Sequence, residues 1–161
     1  MAINFSNNVS LSEVGAKISA PGRIIQVIQT TNTANLYTSS TSPVDFFTSA
    51  PITLTSASNR VLIEWHSDNR VDDQPDGTWS LYYMDLIYVN TGAQLSYTGY
   101  RGELTPSIRH YRKSFLHTPG SVGPHTYKIR GWSYAAYGTN FGVNNLGNDG
   151  ISYIRMTEIA V

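Results

Sequence analysis

Along most of the chain, apolar and polar residues alternate with a period of two over short segments, which is the pattern of half-buried β-strands. Val61, Ile63 and Trp65, for example, share one face of such a segment. The segment Trp79–Asn90 is apolar on both faces, so we expect the core to cover one face and another surface to cover the other. With turn residues between the segments, the pattern predicts an all-β protein, an antiparallel, jelly-roll-like β-sandwich.

One polar segment interrupts this pattern. His66–Thr78 is rich in aspartate and holds a proline and a glycine, so we predict a hairpin loop there. The predicted strands are Ile24–Thr31, Asn35–Ser42, Val44–Thr48, Ile52–Leu54, Arg60–Trp65, Trp79–Asn90, Leu95–Tyr100, Ser114–His117, Thr126–Ser133 and Ile151–Ile159.

The start of the chain follows neither a strand period nor a helix period, and Pro21-Gly22 closes it. We predict an N-terminal extended arm at residues 1–22, followed by one β-sandwich domain at residues 23–161. A disordered leader and a first edge strand are the alternatives. An extended arm anchors a protein by placing apolar side chains in pockets of a neighbouring subunit. The candidate anchoring residues are Ile3, Phe5, Val9, Leu11 and Val14.

Composition narrows the classes of partner. Charged residues make up 14% of the chain, and eleven basic residues balance eleven acidic ones, so we expect no nucleic-acid partner. No apolar run reaches the roughly 18 residues that a spanning helix needs, and we expect no membrane insertion and no secretory signal. The absence of cysteine excludes disulfides and thiol catalysis. A surface rich in serine and threonine and poor in charge is common to secreted lectins and virion exteriors.

Five segments carry a resemblance to a known family, and they occur in the family's order over about 140 residues. They are Gly22–Thr31, Pro51–Glu64, Phe115–Ser121, Thr126–Arg130 and Ile154–Ala160. Together they resemble a β-sandwich domain found in tail-fibre and other virion surface proteins of tailed bacteriophages, especially marine ones.

The resemblance implies a β-sandwich that forms a homotrimer and has no enzymatic activity of its own. It also implies a location on the outer surface of the virion. The sequence departs from the family at His117, where aspartate is usual, and in its longer, more aromatic middle from Trp65 to Tyr111. A surface specific to one partner is expected in that middle part.

Acidic residues of the predicted hairpin loop form the first candidate site. Asp68, Asp72, Asp73 and Asp76 supply the clustered carboxylates that calcium prefers. A calcium loop that starts at Asp72 would need a bidentate glutamate at its twelfth position, and that position is Tyr83. We therefore interpret the segment as a solvated loop and expect no metal.

The histidines lack the spacing of metal ligands, so we expect surface or turn histidines and no cofactor. Enzymatic activity is not expected either, because the sequence has no nucleophile elbow. Glu64 and Asp85, the acidic residues inside strong strands, occupy outward-facing positions and do not form a catalytic pair. The histidines are His66, His110, His117 and His125.

A basic stretch is the second candidate contact. We weigh two interpretations of it. In the first, the stretch binds an anionic polymer or an acidic face of another subunit. In the second, it is an edge strand that positive charge protects from aggregation. Its cations are Arg101, Arg109, Arg112 and Lys113.

An aromatic loop rich in glycine and asparagine is the third candidate. Its aromatic residues are Tyr134, Tyr137 and Phe141. The two interpretations are that they stack on sugar rings, or that they pack between loops or subunits.

These observations lead to one leading function and two alternatives. The chain begins at Met1 with a short arm and leaves no room for a fibre shaft, so we predict a trimeric capsid decoration protein that binds the major capsid protein or other virion subunits. The first alternative is a tail-fibre or fibre-tip protein that binds a host-surface glycan. A free carbohydrate-binding module is the more distant one.

Overall fold

A computed structural model describes residues 21–71, 81–101, 107–134, 141–143 and 151–161. The predicted arm up to residue 20 and the aspartates of the predicted loop after Val71 lie outside these residues. The strands are β1 (Ile24–Asn32), β2 (Leu36–Thr38), β3 (Val44–Thr48), β4 (Ile52–Leu54), β5 (Arg60–Val71), β6 (Leu81–Tyr88), β7 (Ala93–Arg101), β8 (Ser107–His117), β9 (Gly123–His125), β10 (Tyr127–Ser133), β11 (Phe141–Val143) and β12 (Ser152–Ile159).

The described strands form antiparallel sheets and confirm the predicted all-β sandwich. One six-stranded sheet has the order β1-β12-β5-β11-β2, with β8 paired to the other side of β5. A four-stranded sheet has the order β3-β10-β6-β7, and β4 pairs with β9 in a small third sheet. Within the described part of the chain, no helix is long and apolar enough to cross a membrane.

The core lies between the inner faces of the sheets, and the period of two selects its residues. Val61, Ile63 and Trp65 of β5 are buried, as their shared face predicts. On β6 the alternate residues Tyr82, Met84, Leu86 and Tyr88 enter the same cluster. β10 and β12 contribute in the same way, with Tyr127 and Ile129 from the first and Ile154 and Met156 from the second.

The sequence prediction is wrong about β5 and β8. β5 continues through Val71 where we expected a hairpin loop from His66, and β8 begins at Ser107 instead of Ser114. The two strands pair without interruption from Val61 opposite His117 to Val71 opposite Ser107. The polar residues of these strands lack the apolar alternation from which strands were predicted. They form strands nevertheless, because the ladder of backbone hydrogen bonds does not depend on apolar side chains.

Two turns connect the described strands with well-defined geometry. Gly120 has φ of 75°, the left-handed value that a type II turn requires after Pro119. Before β5, the amide of Asn59 donates to the carbonyl of Ser56 at 3.2 Å and closes the turn that sets the register of the strand.

Candidate functional site

Three of the five segments that carry the family resemblance meet at one buried carboxylate. Glu158 of β12 is fully buried. Its Oε1 accepts hydrogen bonds from the Thr55 amide and hydroxyl, both at 2.8 Å, and from Asn59 Nδ2 at 2.7 Å. Its Oε2 accepts one from Gln26 Nε2 at 2.6 Å, and that amide also donates to the carbonyl of Thr53. Three of the five segments are thereby tied together.

The hydrogen bonds keep Glu158 charged. Burial raises the pKa of this carboxyl, but the hydrogen bonds from Asn59, Gln26 and Thr55 outweigh burial and hold the pKa below its ordinary value. A carboxylate held in this way is a structural ion, since its lone pairs already serve four donors.

The other two segments meet at a second polar cluster. His117 Nδ1 lies 3.0 Å from the hydroxyl of Tyr127, and Tyr88 Oη lies 2.6 Å from His125 Nδ1. His125 is buried, so the expectation of a surface or turn histidine is wrong for this residue. It is wrong for the buried His66 as well. Burial and the neighbouring His125 lower the pKa of His117.

Aromatic side chains cover part of the outer face of the four-stranded sheet. Tyr83 lies at the centre, with ring centroids 5.4 Å from Tyr97, 5.5 Å from Trp132 and 6.2 Å from Tyr134. We call these four residues the aromatic face. Tyr97 and Tyr134 are 49% and 43% exposed. Two rings of the aromatic face are therefore about half accessible to solvent.

Backbone register explains how the aromatic face forms. Trp132 of β10 pairs with Tyr83 of β6, and Tyr83 pairs in turn with Gly99 of β7. A Cβ on Gly99 would lie 2.9 Å from Tyr83 Cε1, so the missing side chain leaves room for the Tyr83 ring to lie across β7. Burial and the nearby Tyr83 raise the pKa of the Tyr97 phenol, which stays neutral.

An ion pair borders the aromatic face on the same sheet. Asp85 is fully buried although its strand position faces outward. Arg130 reaches it in a bidentate way, with Nε 3.0 Å from Oδ1 and a terminal nitrogen 2.5 Å from Oδ2, and Gln94 Nε2 adds a bond of 3.1 Å. The hydrogen bond to Asp85 raises the pKa of Arg130. Asp85 is thus fully engaged by its own sheet, and it does not lie beside Glu64, which is on β5.

The backbone places the residues of the basic stretch on two sheets. Arg101 ends β7 in the four-stranded sheet, whereas Arg109 lies on β8 in the six-stranded sheet. Arg112 contacts His66 on the outer face, and the adjacent Lys113 donates to the carbonyl of Tyr97 at 3.0 Å. β8 pairs with β5 and with no other described strand, which agrees with the interpretation as a charged edge strand.

A cluster that the sequence analysis missed lies on the outer face of β5 and β8. His66 Nε2 and His110 Nδ1 lie 2.8 and 2.6 Å from the same oxygen, Oδ1 of Asp68. Asp68 is therefore a strand residue with partners and does not belong to a calcium loop. A signal was present in the spacing His66-x-Asp68, which places both residues on one face of a strand. Only the pairing of Asp68 with His110 in the sheet completes the cluster.

The remaining predicted contacts fall largely outside the described residues. Ile3, Phe5, Val9, Leu11 and Val14 of the arm lie there, and so does Tyr137. Phe141 begins β11, which pairs with β2 and β5, so its backbone belongs to the six-stranded sheet. Tyr134 is the residue of this group that joins the aromatic face.

Comparison with known proteins gives neither a matching family model nor a matching curated protein. Solved structures of infectious bursal disease virus particles are similar to the chain. Its T=1 particles have a TM-score of 0.44 at 10% identity over 100% of this chain and 41% of theirs. The Gx strain has 0.44 at 12% identity over 88% and 38%. The chain spans about two fifths of the length of these viral chains.

Proposed function

We propose that the chain is a non-enzymatic structural protein of a bacteriophage virion surface, and specifically a homotrimeric protein that decorates the capsid. The observation that carries this proposal is the meeting of three of the five family-like segments at Glu158. Gln26, Thr55 and Asn59 come from two segments far from Glu158 in sequence, yet all three donate to its carboxylate.

This convergence strengthens the resemblance in a physical way. Each segment taken alone is a strand or turn pattern that many β-proteins share. Here the polar residues of the segments satisfy one buried ion, so the segments describe one structural unit and not independent coincidences. The expectations attached to the resemblance, a homotrimer on the outer surface of a phage particle, are the ones we adopt.

The aromatic face supports the trimer. Half-exposed tyrosine and tryptophan side chains are typical anchors of protein interfaces, because they bury a large area at a small cost in side-chain entropy. Tyr97 and Tyr134 offer such anchors next to the Trp132 ring. The sequence analysis expected a second cover for this face of β6, and we assign it to a neighbouring copy of the chain.

Attachment to the particle is assigned to the arm, residues 1–22, which reaches the major capsid protein or another virion subunit. The basic residues Arg112 and Lys113 are the alternative contact with the particle, and they point to opposite faces of β8.

Light scattering at micromolar concentration tests the trimer and should give three times the 17.8 kDa of one chain. A stable monomer would contradict it.

Binding to particles tests the decoration. Capsids that lack the protein should take up purified protein in hundreds of copies per particle, measured by sedimentation and quantitative gel analysis. Uptake of only a few or a few tens of copies would indicate a tail location instead.

A tail protein that binds a host-surface glycan is the second candidate, and Tyr134 favours it. Its ring belongs to the aromatic face, and flat aromatic surfaces stack on sugar rings. Titration with lipopolysaccharide oligosaccharides would then quench tryptophan fluorescence in the wild type and not in Tyr134→Ala. An unchanged signal in both proteins would count against this candidate.

A further inference from the structure

Three side chains on the outer face of the six-stranded sheet offer one ligand atom each around a common point. The atoms are His66 Nε2, Asp68 Oδ1 and His110 Nδ1, and all lie within 4.8 Å of one another. His66 and Asp68 are buried, and the side chain of His110 is 67% exposed. One edge of the cluster is therefore rigid and the other faces solvent.

The strands hold this arrangement in place. His66 and Asp68 are two residues apart on β5, and their partners across the ladder are Arg112 and His110 of β8. The imidazole rings of His66 and His110 are stacked, with an interplanar angle of 10°. The amide of Ile151 donates to Oδ2 of Asp68 at 3.3 Å, which leaves Oδ1 to the two histidines. The three ligand atoms are thus oriented by regular backbone and not by a loop.

The chemistry of this donor set is that of a transition-metal site. Two imidazole nitrogens and one carboxylate oxygen form the three-ligand set of many zinc sites with an open coordination position. Ligand atoms around zinc are about 3.3 Å apart, given bonds of about 2.0 to 2.1 Å and tetrahedral angles. The distances of 2.6 and 2.8 Å to Asp68 Oδ1 would have to lengthen by about 0.5 to 0.7 Å.

Arg112 opposes this binding in one respect. Its Nε donates to Nδ1 of His66 at 3.4 Å, which keeps the ring proton on Nε2 when no metal is present. When a metal binds Nε2 of His66, the ring proton moves by way of solvent to Nδ1. The protonated Nδ1 then faces the N–H group of Arg112, and two donors point at each other. Arg112 is exposed and is free to turn away, but its charge and its donor weaken the site.

We propose that His66, Asp68 and His110 form a binding site for one divalent transition-metal ion, with zinc as the ion to test. The site goes beyond the proposed role on the virion and does not depend on it. From the sequence we expected no metal, because no histidine has a partner at metal-ligand spacing. In the structure the three candidate ligands come from two paired strands. The open position faces solvent beside His110.

The experiment uses full-length protein without a histidine tag, dialysed free of metal at pH 7.5. Calorimetric titration with zinc chloride should give one ion per chain, and cobalt chloride should give the visible absorption of a cobalt ion with nitrogen ligands. His110→Ala should weaken zinc binding by at least about 100-fold, because even residues outside the ligand shell change affinity by about 10- to 100-fold. Since His110 is exposed, this variant is expected to fold.

Matched variants separate the site from general effects. Ser114→Ala, an exposed change on the same strand, should bind zinc as the wild type does. Arg112→Ala should bind it more tightly, on the order of fivefold, because a nearby positive charge is removed. Circular dichroism checks the fold of each variant. The proposal is overturned if wild type shows no stoichiometric zinc binding below about 1 mM, or if His110→Ala binds as tightly as wild type, which would identify adventitious binding elsewhere.

Discussion

At the scale of single residues, Glu158 connects parts of the chain that are far apart in the sequence. Its carboxylate is buried in a sheet and accepts four hydrogen bonds from three residues. Hydrogen bonds to a charged acceptor contribute more than neutral ones, and a buried donor that loses its acceptor keeps the full desolvation penalty. The stability of the fold therefore depends on this ion.

Removing the carboxylate should destabilise the fold strongly. Glu158→Ala leaves four donors without this acceptor, on the buried Asn59, the half-buried Gln26 and the exposed Thr55. We expect a loss of about 2 to 4 kcal/mol in the free energy of unfolding. Glu158→Gln retains one oxygen and should lose about half as much. Urea denaturation measures both. Glu64→Ala is the control at a half-exposed position and should change stability by less than about 0.5 kcal/mol.

Acid should reveal the same ion. The folded pKa of Glu158 lies below the unfolded value of 4.5, so its contribution is fully present above about pH 5 and is lost as pH falls through the folded pKa. The difference in stability between wild type and Glu158→Gln should accordingly narrow from pH 7 to pH 3. Urea titrations at each pH check this. A difference that is independent of pH would mean that the carboxylate is not the source of the stability.

The sequence identified the segment around Glu158 and not the role of the residue. A glutamate next to a strand end is normally solvent-exposed, and its donors lie about a hundred residues away along the chain. The same limit applies to the site of His66, Asp68 and His110. Its first two residues show a strand spacing, but the third is 42 residues away from Asp68, and only sheet register brings it close.

At the scale of elements, apolar alternation predicted the core strands and failed where strands are polar on both faces. β3 was predicted with its observed bounds, and β6 with its inner face. The prediction ended β5 early because the polar segment from His66 indicated a hairpin loop. It began β8 only at Ser114, although an edge strand was one of the two interpretations of the basic stretch. Long pairing between the two strands compensates, since each residue pair adds backbone hydrogen bonds whatever its side chains are.

The aromatic face gives the prediction that belongs to this scale. If it is the contact between copies, Tyr97→Ala should weaken the trimer by at least about 30-fold, the effect of an interface hot spot of about 2 kcal/mol. Tyr37→Ala is a matched control, because Tyr37 is 50% exposed and Tyr97 is 49% exposed, and Tyr37 lies on β2 of the other sheet. Analytical ultracentrifugation of both variants decides. Equal dissociation would place the contact elsewhere.

At the scale of the whole molecule, the sandwich has a closed core and at least two open surfaces. The core cluster draws most of its buried residues from β5, β6, β10 and β12, which belong to both large sheets. The aromatic face and the cluster around Asp68 lie on the outer sides of different sheets. The two proposals, contact between copies and metal binding, therefore involve different sheets.

The anchoring role of the arm is the prediction that belongs to this scale. β1 begins at Ile24, and the amide of Gly22 donates to the carbonyl of Ala160 at 2.8 Å, so the domain is already closed at Gly22. Deleting residues 2–20 should therefore leave a folded trimer. It should no longer bind capsids, because the apolar residues Ile3, Phe5 and Val9 are removed.

Avidity makes the expected loss large. Three arms on one trimer bind together, and linking sites in this way raises affinity by about 10² to 10⁴ over a single arm. Substituting only Ile3 and Phe5 by serine should weaken capsid binding in a graded way, whereas Ser6→Ala serves as the control within the same segment. Sedimentation with capsids and light scattering of the free protein separate binding from assembly.

Full occupancy of capsids by the truncated protein would mean that the anchor lies on the sandwich, and Arg112 and Lys113 would be the next residues to substitute. Failure of the truncated protein to fold would mean that the segment before Gly22 is part of the core.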